Sequence, residues 1–191
     1  MNRTKIINLI AQKISAQNYL EIGVFDGQNL NSVNIPNKTG VDPDKKSKAT
    51  IFKTSDDFFL ENDKKFDIIF IDGLHHADQV EKDINNSLNS LNEHGYIVCH
   101  DMLPTDKNME VVPRKQGIWT GDCWKAWVKI RETRSDLSMF VIDTDYGCGI
   151  ITFGSQDVLK ISEELTFENY QKNRQKWMNV ISLKEFEEII K

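Results

Sequence analysis

Cysteine is scarce in this sequence, and its spacing suits neither bridges nor metals. The 191 residues include 3 cysteines, Cys99, Cys123 and Cys148, and they form no Cys-x-x-Cys pair. Neither a disulfide framework nor a structural zinc site is therefore indicated. Residues 1–20 also lack a long apolar run, so we expect neither a signal peptide nor a membrane span there, and we expect a cytoplasmic protein.

Basic charge is scarce as well. The chain has 24 lysines and arginines against 29 acidic residues, which gives a formal net charge of −5 at pH 7. Domains that follow a phosphate backbone carry a basic excess or a basic stripe, whereas the basic residues here are scattered among acidic ones. We therefore expect no nucleic-acid or membrane partner. The expected partner is a small-molecule or sugar acceptor, and a homodimer is left open.

The sequence does contain a regular alternation of strand and helix patterns. Apolar runs predict strands over residues 19–24, 39–42, 49–54, 66–72, 96–99, 138–143 and 148–153. This alternation predicts an α/β fold with a doubly wound, mostly parallel seven-stranded sheet and an antiparallel edge hairpin. We expect a single domain over 1–191, with an N-terminal helix at 1–17, a core at 18–153 and C-terminal helices at 154–191.

Several local signals predict helix ends and one long loop. Gly95 is expected just beyond the helix that begins near Ala77, and Asp122 is expected to cap the helix that starts at Cys123. Ser182, with a glutamate three residues later, predicts a capping box. Residues 102–121 have no clear period, which is typical of a functional loop.

The first predicted strand ends in an acidic, glycine-containing turn. Glu21 is followed by Gly23 and Gly27, a Gly-x-x-x-Gly spacing that differs from the Gly-x-Gly-x-x-Gly of a dinucleotide site. Glycine lets the backbone turn sharply and approach a ligand closely. Glu21 and Asp26 would repel a pyrophosphate but accommodate a cationic sulfonium and amino group. The turn therefore disfavours a nicotinamide-linked oxidoreductase.

Acidic residues also follow the next four predicted strands. Asp42 lies about 20 residues beyond the glycine turn, where a carboxylate accepts hydrogen bonds from ribose hydroxyls. Ser55 and Asp56 follow the third predicted strand, where a side-chain oxygen could accept a bond from an adenine amino group. Asp72 and Asp101 follow the fourth and fifth. Ligands of doubly wound sheets bind at this edge, so we expect a nucleoside-containing ligand there.

These segments resemble the successive motifs of class I S-adenosylmethionine-dependent methyltransferases. More narrowly, they resemble a bacterial subgroup that is found with glycan-biosynthesis proteins and is related to macrocin O-methyltransferase. The resemblance covers about residues 18–153. The segments that carry it are Tyr-Leu-Glu-Ile-Gly-Val-Phe-Asp-Gly-Gln, Gly-Val-Asp-Pro, Thr-Ser-Asp-Asp-Phe-Phe, Phe-Asp-Ile-Ile-Phe-Ile-Asp-Gly-Leu-His-His and Gly-Tyr-Ile-Val-Cys-His-Asp.

The resemblance implies a Rossmann-like methyltransferase fold and S-adenosylmethionine as the cofactor. It places the acidic-glycine turn beside the methionine part, Asp42 on the ribose, and the region of Ser55 beside the adenine. One departure is visible: only Lys45 to Lys48 separate the second and third predicted strands, so the usual helix is nearly absent. The implied cofactor-binding residues are Glu21, Gly23, Val24, Phe25, Gly27, Asp42, Ser55, Asp56, Asp72 and Gly73.

Methyl transfer from a sulfonium needs an aligned acceptor and a group that takes its proton. The candidate catalytic residues are Asp72, His76, His100 and Asp101, which follow the fourth and fifth predicted strands. Asp72, His100 and Asp101 could hold Mg²⁺ or another divalent cation, and the resemblance to metal-dependent O-methyltransferases supports this. Metal-free base catalysis by His76 or His100 remains the alternative.

The loop at 102–121 and the helix after it supply the candidate substrate contacts. Trp119 and Trp124 could stack on a sugar or a ring, and Lys125 could pair with a phosphate. The expected function is O-methylation of a hydroxyl on a small molecule or a sugar or glycan precursor. The alternatives are N-methylation and a cofactor-binding subunit that is active only with a partner. Nucleic-acid methylation is disfavoured, since no Asn-Pro-Pro-Tyr-type motif follows the fourth strand.

Overall fold

A computed structural model describes residues 1–191. The helices are α1 (Arg3–Ile14), α2 (Gln28–Ser32), α3 (Ser55–Glu61), α4 (Ala77–Asn89), α5 (Lys107–Glu110), α6 (Cys123–Thr133), α7 (Phe167–Met178) and α8 (Leu183–Ile190). The strands are β1 (Asn18–Ile22), β2 (Asn37–Val41), β3 (Phe66–Ile71), β4 (Leu91–Cys99), β5 (Leu137–Ile142), β6 (Cys148–Phe153) and β7 (Val180–Ile181). No helix is both long enough and apolar enough to cross a membrane.

The strands form one seven-stranded sheet in the order β2-β1-β3-β4-β6-β5-β7. Strands β1 to β4 pair in parallel, whereas β6 pairs antiparallel with both β4 and β5. The predicted α/β, mostly parallel sheet with an antiparallel hairpin is confirmed. The hairpin does not form the edge, however, because β7 pairs with β5 beyond it.

Helices cover both faces of the sheet because its central strands are apolar on both sides. In β3, Ile69 and Ile71 pack into a cluster with residues of α3, α4, α6 and α7, whereas Ile68 and Phe70 pack with α1, α2 and α8. A continuous apolar run is typical of a parallel strand that is buried on both faces. Because β1, β2, β3 and β4 run parallel, their carboxyl ends meet at one edge of the sheet.

The predicted strand at 49–54 is wrong. Only Ile51 makes a bridge, to Val41 of β2. The backbone amides of Thr50 and Ile51 both donate to the carbonyl oxygen of Gly40, at 3.0 and 2.9 Å. The short segment after β2 thus folds straight back onto that strand, which leaves no length for a separate ladder. The seventh strand is instead β7, within the tail that was predicted to be helical.

The predicted helix end at Gly95 is also wrong, because Gly95 lies within β4. Helix α4 ends at Asn89, and the Phe66 amide already donates to the Ser90 carbonyl at 2.9 Å. The register between β3 and β4 shifts between Phe66 and Ile68. A Cβ atom at Gly95 would lie 2.9 Å from the carbonyl oxygen of Asp67, so glycine allows the close backbone approach at this irregularity.

Asp122 occupies the N-cap position of α6, as predicted, but its side chain makes no capping bond to that helix. Its Oδ1 atom instead accepts a hydrogen bond from the Ala77 amide, the first residue of α4, at 2.8 Å. His76, the N-cap residue of α4, makes no side-chain capping bond. The loop before α6 therefore fixes the start of α4. The predicted capping box of Ser182 is confirmed.

We expect Asp122→Ala to lower stability by about 1 kcal/mol, the usual cost of losing a helix cap. The reason is that the Ala77 amide would lose its only side-chain acceptor in the chain. Asp122→Asn keeps an acceptor oxygen and should retain most of the stability. Urea unfolding of the three proteins measures the difference, and an alanine variant as stable as the wild type would contradict this role.

Candidate active site

A cavity of about 830 Å³ lies at the carboxyl ends of β1 to β4. Ten of the predicted site residues line it: Gly23, Phe25, Asp42, Ser55, Asp56, Asp72, Gly73, His100, Asp101 and Trp119. A second cavity of about 1210 Å³ adjoins it along α1 and α2, is lined by Glu21 and Val24, and shares Gly23, Phe25 and Asp72 with the first. The structure thus brings most of the predicted site together.

The glycine turn packs directly against the end of β3. Gly23 has a φ of +85°, and a Cβ atom there would lie 2.2 Å from the carbonyl oxygen of Asp72. Only glycine fits this contact, since any side chain would collide with backbone. Phe25 also has a left-handed backbone, with φ at +48°, and its ring is 80% exposed at the shared rim of the two cavities.

Asp42 links the end of β2 to the glycine turn. Its Oδ2 atom accepts hydrogen bonds from the amides of Val24 and Phe25, both at 3.0 Å, and its Oδ1 atom accepts one from the Asp44 amide at 2.8 Å. A carboxylate that accepts several backbone bonds is fixed in position. Asp42 therefore holds the shape of the turn and faces the cavity at the same time.

A polar corner forms where α3 and α4 meet. The side-chain amide of Gln79 donates to Ser55 Oγ at 3.2 Å and to Asp56 Oδ1 at 3.0 Å. Gln79 lines the same cavity, and sequence reasoning missed it because it lies on an otherwise ordinary amphipathic helix. Ser55 begins α3, whose N-cap is Thr54. These side chains place donors and acceptors at the end of the cavity next to β2.

Glu21 is the most buried acid of the turn, with 1% of its surface exposed. The Tyr19 hydroxyl donates to its Oε2 atom at 2.6 Å, and the side-chain amide of Asn29 donates to the same atom at 2.7 Å. Burial raises the pKa of Glu21 to about 7, an increase that these hydrogen bonds reduce and that the nearby Asp72 carboxylate enlarges. Glu21 therefore changes charge near neutral pH.

The raised pKa of Glu21 predicts a pH-dependent cost to folding. The folded state keeps a proton that the unfolded state, with its ordinary pKa of 4.5, has lost. Stability should therefore fall as pH rises from about 4.5 to 7, by up to about 3 kcal/mol. Glu21→Gln keeps acceptors for Tyr19 and Asn29 without the charge, so it should be more stable than the wild type at pH 8 and nearly equal at pH 5.

Urea unfolding at the two pH values measures this effect. Glu187→Gln, at an exposed position of α8, is the matched control and should unfold like the wild type at both. The assignment would be wrong if the stability difference between the Glu21→Gln variant and the wild type did not increase from pH 5 to pH 8.

Two aspartates and two histidines meet where β3 and β4 end. His75 Nε2 lies 3.2 Å from Asp72 Oδ1, and His75 Nδ1 lies 3.3 Å from Asp101 Oδ2. His100 Nδ1 lies 3.3 Å from Asp72 Oδ1 and 3.4 Å from Asp101 Oδ1. Each imidazole therefore bridges the same two carboxylates.

The charges of this cluster support one another. Burial by itself would raise the pKa of Asp72, but His100 and His75 outweigh it and hold that pKa well below its ordinary value. Burial would lower the pKa of His100, but the carboxylates of Asp72, Asp101 and Asp145 raise it well above its ordinary value. The pKa of His75 is also raised, since its bond to Asp72 and the charge of Asp101 outweigh burial.

Asp101 has an unusual backbone for a buried residue. Its φ is +60°, and only 6% of its surface is exposed. A residue other than glycine in the left-handed region is uncommon, and such residues cluster at functional sites. The turn after β4 thus aims the Asp101 carboxylate into the cluster.

One subset of the cluster has the spacing of a metal site. Single ligand atoms of Asp72, His75 and Asp101 all lie within 4.8 Å of one another. Two carboxylates and an imidazole suit a divalent cation. The sequence-based triad named His100 in place of His75, but His100 also faces Asp145 and Arg3, with Nε2 3.6 Å from Asp145 Oδ2. His75, in the Gly-Leu-His-His segment that directly follows Asp72, is therefore the better third ligand.

Trp119 covers this cluster from the loop before α6. Its ring stacks on His75 with centroids 5.2 Å apart and an interplanar angle of 23°. Its Nε1 atom donates to the Val111 carbonyl at 2.8 Å, which fixes the ring. The guanidinium of Arg114 lies 5.9 Å from the centre of the Trp119 ring. Trp119 and Arg114 both line the cavity, so an aromatic surface and a cation stand beside the aspartates.

The predicted substrate contact of Trp124 is wrong, and Lys125 lies away from both large cavities. Trp124 is fully buried, and its Nε1 atom donates to Glu110 Oε2 at 2.5 Å. Lys125 lies with its Nζ atom 3.5 Å from Asp122 Oδ2 and 5.7 Å from the centre of the Trp124 ring. Neither residue lines either large cavity. Trp124 packs against Tyr170 and Trp177 of α7, and Lys125 lies beside Asp122 at the start of α6.

Two further predicted residues lie outside the cavity walls. His76 occupies the N-cap position of α4, and its ring meets the edge of Trp119 with centroids 6.3 Å apart. Gly27 is the N-cap residue of α2 with a φ of +76°, so its role is to allow the left-handed backbone turn before that helix. Of the predicted catalytic residues, Asp72, His100 and Asp101 are brought together and His76 is not.

The comparisons with known proteins agree with this geometry. Residues 43–102 match the family model described as Methyltransf_24, a methyltransferase domain, which confirms the predicted methyltransferase class. The matched segment includes Asp72, His75 and Asp101. No curated protein sequence matches the chain significantly.

Solved methyltransferases share the fold at low sequence identity. The SAH-bound methyltransferase PaMTH1 of Podospora anserina has a TM-score of 0.61 at 13% identity, over 80% of this chain and 78% of that one. The O-methyltransferase of Bacillus cereus in complex with SAH has a TM-score of 0.57 at 15% identity, over 78% and 79%. The O-methyltransferase TomG of Streptomyces achromogenes, solved with SAM, has a TM-score of 0.58 at 15% identity, over 79% of each chain. The Rossmann-like methyltransferase fold is thereby confirmed.

Proposed function

We propose that this chain is an S-adenosylmethionine-dependent O-methyltransferase that acts on a hydroxyl of a small molecule. The observation that carries the proposal is the Asp72–His75–Asp101 group, which lies in one cavity with the Asp42-anchored glycine turn. The Asp72–His75–Asp101 group can take a proton from the hydroxyl that is methylated, and the glycine turn can bind a nucleoside. The whole chain, 1–191, acts as one domain in this proposal, since all seven strands belong to one sheet.

The chemistry of the cavity fits S-adenosylmethionine. At the end next to β2, Asp42 accepts the ribose hydroxyls and the corner of Ser55, Asp56 and Gln79 meets the adenine. Gly23 lets the ligand lie close to the backbone, and Glu21 faces the adjoining cavity, where its carboxylate meets the positively charged amino group. The SAH-bound and SAM-bound neighbours of the same fold support this assignment.

The residues of the cluster position the acceptor and take its proton. Methyl transfer forms a bond from the acceptor oxygen to the methyl carbon as the sulfur–carbon bond breaks, so the oxygen must lie in line with that bond. Asp101, His75 and His100 line the cavity, where a hydroxyl can hydrogen-bond to them. Because the raised pKa values keep both imidazoles protonated, the Asp101 carboxylate is the group that receives the proton. A divalent cation held by Asp72, His75 and Asp101 would lower the pKa of the hydroxyl.

The acceptor class rests on the wall of the cavity and on the motif resemblance. Trp119 offers an apolar ring face beside the cluster, which suits the face of a sugar or an aromatic ring. The resemblance to the subgroup related to macrocin O-methyltransferase favours a sugar or a glycan precursor. We therefore expect a ring-shaped acceptor whose hydroxyl points towards Asp101.

A transfer assay tests the proposal. The purified protein is incubated with S-adenosylmethionine that carries a labelled methyl group and with a panel of sugars, nucleotide sugars and phenols, in Mg²⁺, Mn²⁺ or chelator. We expect the label on an oxygen of at least one acceptor, and more of it with metal than with chelator. Transfer to nitrogen alone, or no transfer to any acceptor despite tight cofactor binding, would overturn the O-methyltransferase assignment.

A further inference from the structure

Arg3 lies in the wall between the two cavities, although it belongs to the first turn of α1. It lines both cavities, and its side chain is 33% exposed. Its Nη1 atom lies 3.0 Å from His100 Nδ1 and 3.7 Å from Asp145 Oδ2. No family match and no motif covers this residue, since the matched segment begins at residue 43.

The N-terminal segment is fastened in a way that holds Arg3 at this position. The Arg3 amide donates to Asp145 Oδ2 at 2.9 Å, and the Thr144 hydroxyl donates to the Met1 carbonyl at 2.5 Å. Both partners belong to the turn between β5 and β6, which places them beside the end of β4 in the sheet. Arg3 is therefore tied by backbone contacts that do not depend on its side chain.

The guanidinium keeps donors to spare. Its contacts within the chain, to His100 and Asp145, are all made by Nη1, so Nε and Nη2 remain free to bind a ligand. Arginine presents its donors as a planar fork that matches a carboxylate in two parallel hydrogen bonds. The side chain is thus suited to an anionic group that enters from either cavity.

The acidic surroundings make this cation significant. The acids Glu21, Asp26, Asp72 and Asp145 line the cavity along α1 and α2. These carboxylates suit the amino group and the sulfonium of S-adenosylmethionine, but they would repel the carboxylate at its amino-acid end. A ligand with both charges needs a local cation for that one group. Of the two basic residues in this lining, Arg3 and Lys5, only Arg3 also lines the cavity of Asp42 and Asp72.

The direction of the ligand brings its carboxylate to Arg3. In the proposed binding mode the adenine and ribose lie at the end of β2, beside Ser55 and Asp42. The sheet order then carries the rest of the ligand across β1 and β3 towards β4 and β6. Arg3 is held at that far side by Asp145, so adenine and carboxylate lie at opposite ends of the site.

We propose that Arg3 binds the carboxylate at the amino-acid end of S-adenosylmethionine, and so closes the cofactor site from outside the matched methyltransferase segment. This inference rests on the proposed function, since it assigns a residue to the same cofactor. The free Nε and Nη2 edge of the guanidinium forms two charge-assisted hydrogen bonds with that carboxylate. Arg3 thereby also selects cofactors that retain the amino-acid group.

Two ligands isolate this contact in calorimetric titrations. S-Adenosylhomocysteine carries the carboxylate, whereas 5′-methylthioadenosine has the same adenine, ribose and thioether but lacks the amino-acid group. We expect Arg3→Gln to weaken S-adenosylhomocysteine binding by about ten- to a hundredfold, the usual effect of losing charge-assisted hydrogen bonds. Binding of 5′-methylthioadenosine should change by less than about twofold.

Lys13→Gln is the matched control, because Lys13 lies on the same helix and carries the same charge but lines neither cavity. It should leave the affinity for both ligands unchanged. Arg3→Lys, which keeps the charge but loses the fork, should weaken S-adenosylhomocysteine binding less than Arg3→Gln does. This second variant keeps the test available if the glutamine variant does not fold.

Three results would overturn the inference about Arg3. One is an unchanged affinity of both Arg3 variants for S-adenosylhomocysteine, which would direct Arg3 to an anionic acceptor instead. Another is an equal loss for both ligands, which would indicate a structural role. The third is a loss in Lys13→Gln as large as in Arg3→Gln, which would indicate only a general effect of positive charge on α1. Failure of the wild type to bind either ligand would instead contradict the proposed function itself.

Discussion

Asp101→Asn is expected to reduce methyl transfer by about a thousandfold, the effect of losing a group that orients and deprotonates the acceptor. Its carboxylate faces both His75 and His100 at 3.3 and 3.4 Å, so its loss removes one of the two carboxylates that hold both imidazoles. The affinity for S-adenosylhomocysteine should stay within about threefold of the wild type, since Asp101 is not among the residues assigned to the cofactor. Labelled methyl transfer and calorimetry measure the two quantities.

Asparagine is the informative substitution at this position because of the backbone. Asparagine tolerates the left-handed φ of +60°, whereas alanine would add strain to the loss of charge. Asp106→Asn is the matched control, since Asp106 is exposed on the loop that follows and caps the short helix α5. The control should transfer methyl groups at the wild-type rate. An active Asp101→Asn variant would remove Asp101 from the catalytic group.

Asp42→Asn is expected to weaken cofactor binding by about a hundredfold, because the charged acceptor of the ribose hydroxyls is lost. The remaining side-chain oxygen can still accept from Val24 and Phe25, so the glycine turn should keep its place. The bond from the Asp44 amide is lost, but that amide lies in an exposed turn where water can replace the acceptor. We therefore expect a change in affinity with little change in the unfolding midpoint. Calorimetric titration with S-adenosylhomocysteine gives the affinity, and thermal unfolding gives the stability.

The neighbouring Asp44 supplies a control for this substitution. It lies in the same turn, and its Oδ1 atom accepts from the Lys46 amide at 2.8 Å. It does not line the cavity of Asp42. Asp44→Asn should therefore bind the cofactor like the wild type. Equal affinities of the Asp42→Asn variant and the wild type would contradict the ribose assignment.

The fold could be predicted wherever a local pattern has a single solution. The run of apolar residues in β3 can be buried only in a strand covered on both faces, and the structure has it between β1 and β4 in the interior of the sheet. The segment at 49–54 has the same composition as a strand, but the Gly40 carbonyl accepts from both Thr50 and Ile51. The predicted helix end at Gly95 was wrong for a related reason. A glycine that ends a helix and a glycine that allows a neighbouring strand to approach closely look alike in sequence.

The site could be predicted where its residues follow strands, because the carboxyl ends of parallel strands meet at one edge. That reasoning placed Asp42, Asp72 and Asp101 around one cavity. It could not show which of the neighbouring residues His75 and His76 faces the aspartates, since both lie in the short loop between β3 and α4. Trp124 was misassigned because an aromatic ring suits a core as well as a ligand. Arg3 was missed because its partner Asp145 is 142 positions away, and no local pattern reports such a contact.

The most direct test of the account is a calorimetric titration of the wild-type protein with S-adenosylmethionine, in the presence of Mg²⁺ and then of chelator. We predict micromolar binding in both conditions, since Asp42, the glycine turn and the corner of Ser55, Asp56 and Gln79 can bind the cofactor without a metal in the Asp72–His75–Asp101 group. Absence of binding in both conditions would contradict the assignment of the cavity to S-adenosylmethionine and, with it, the proposed methyl transfer.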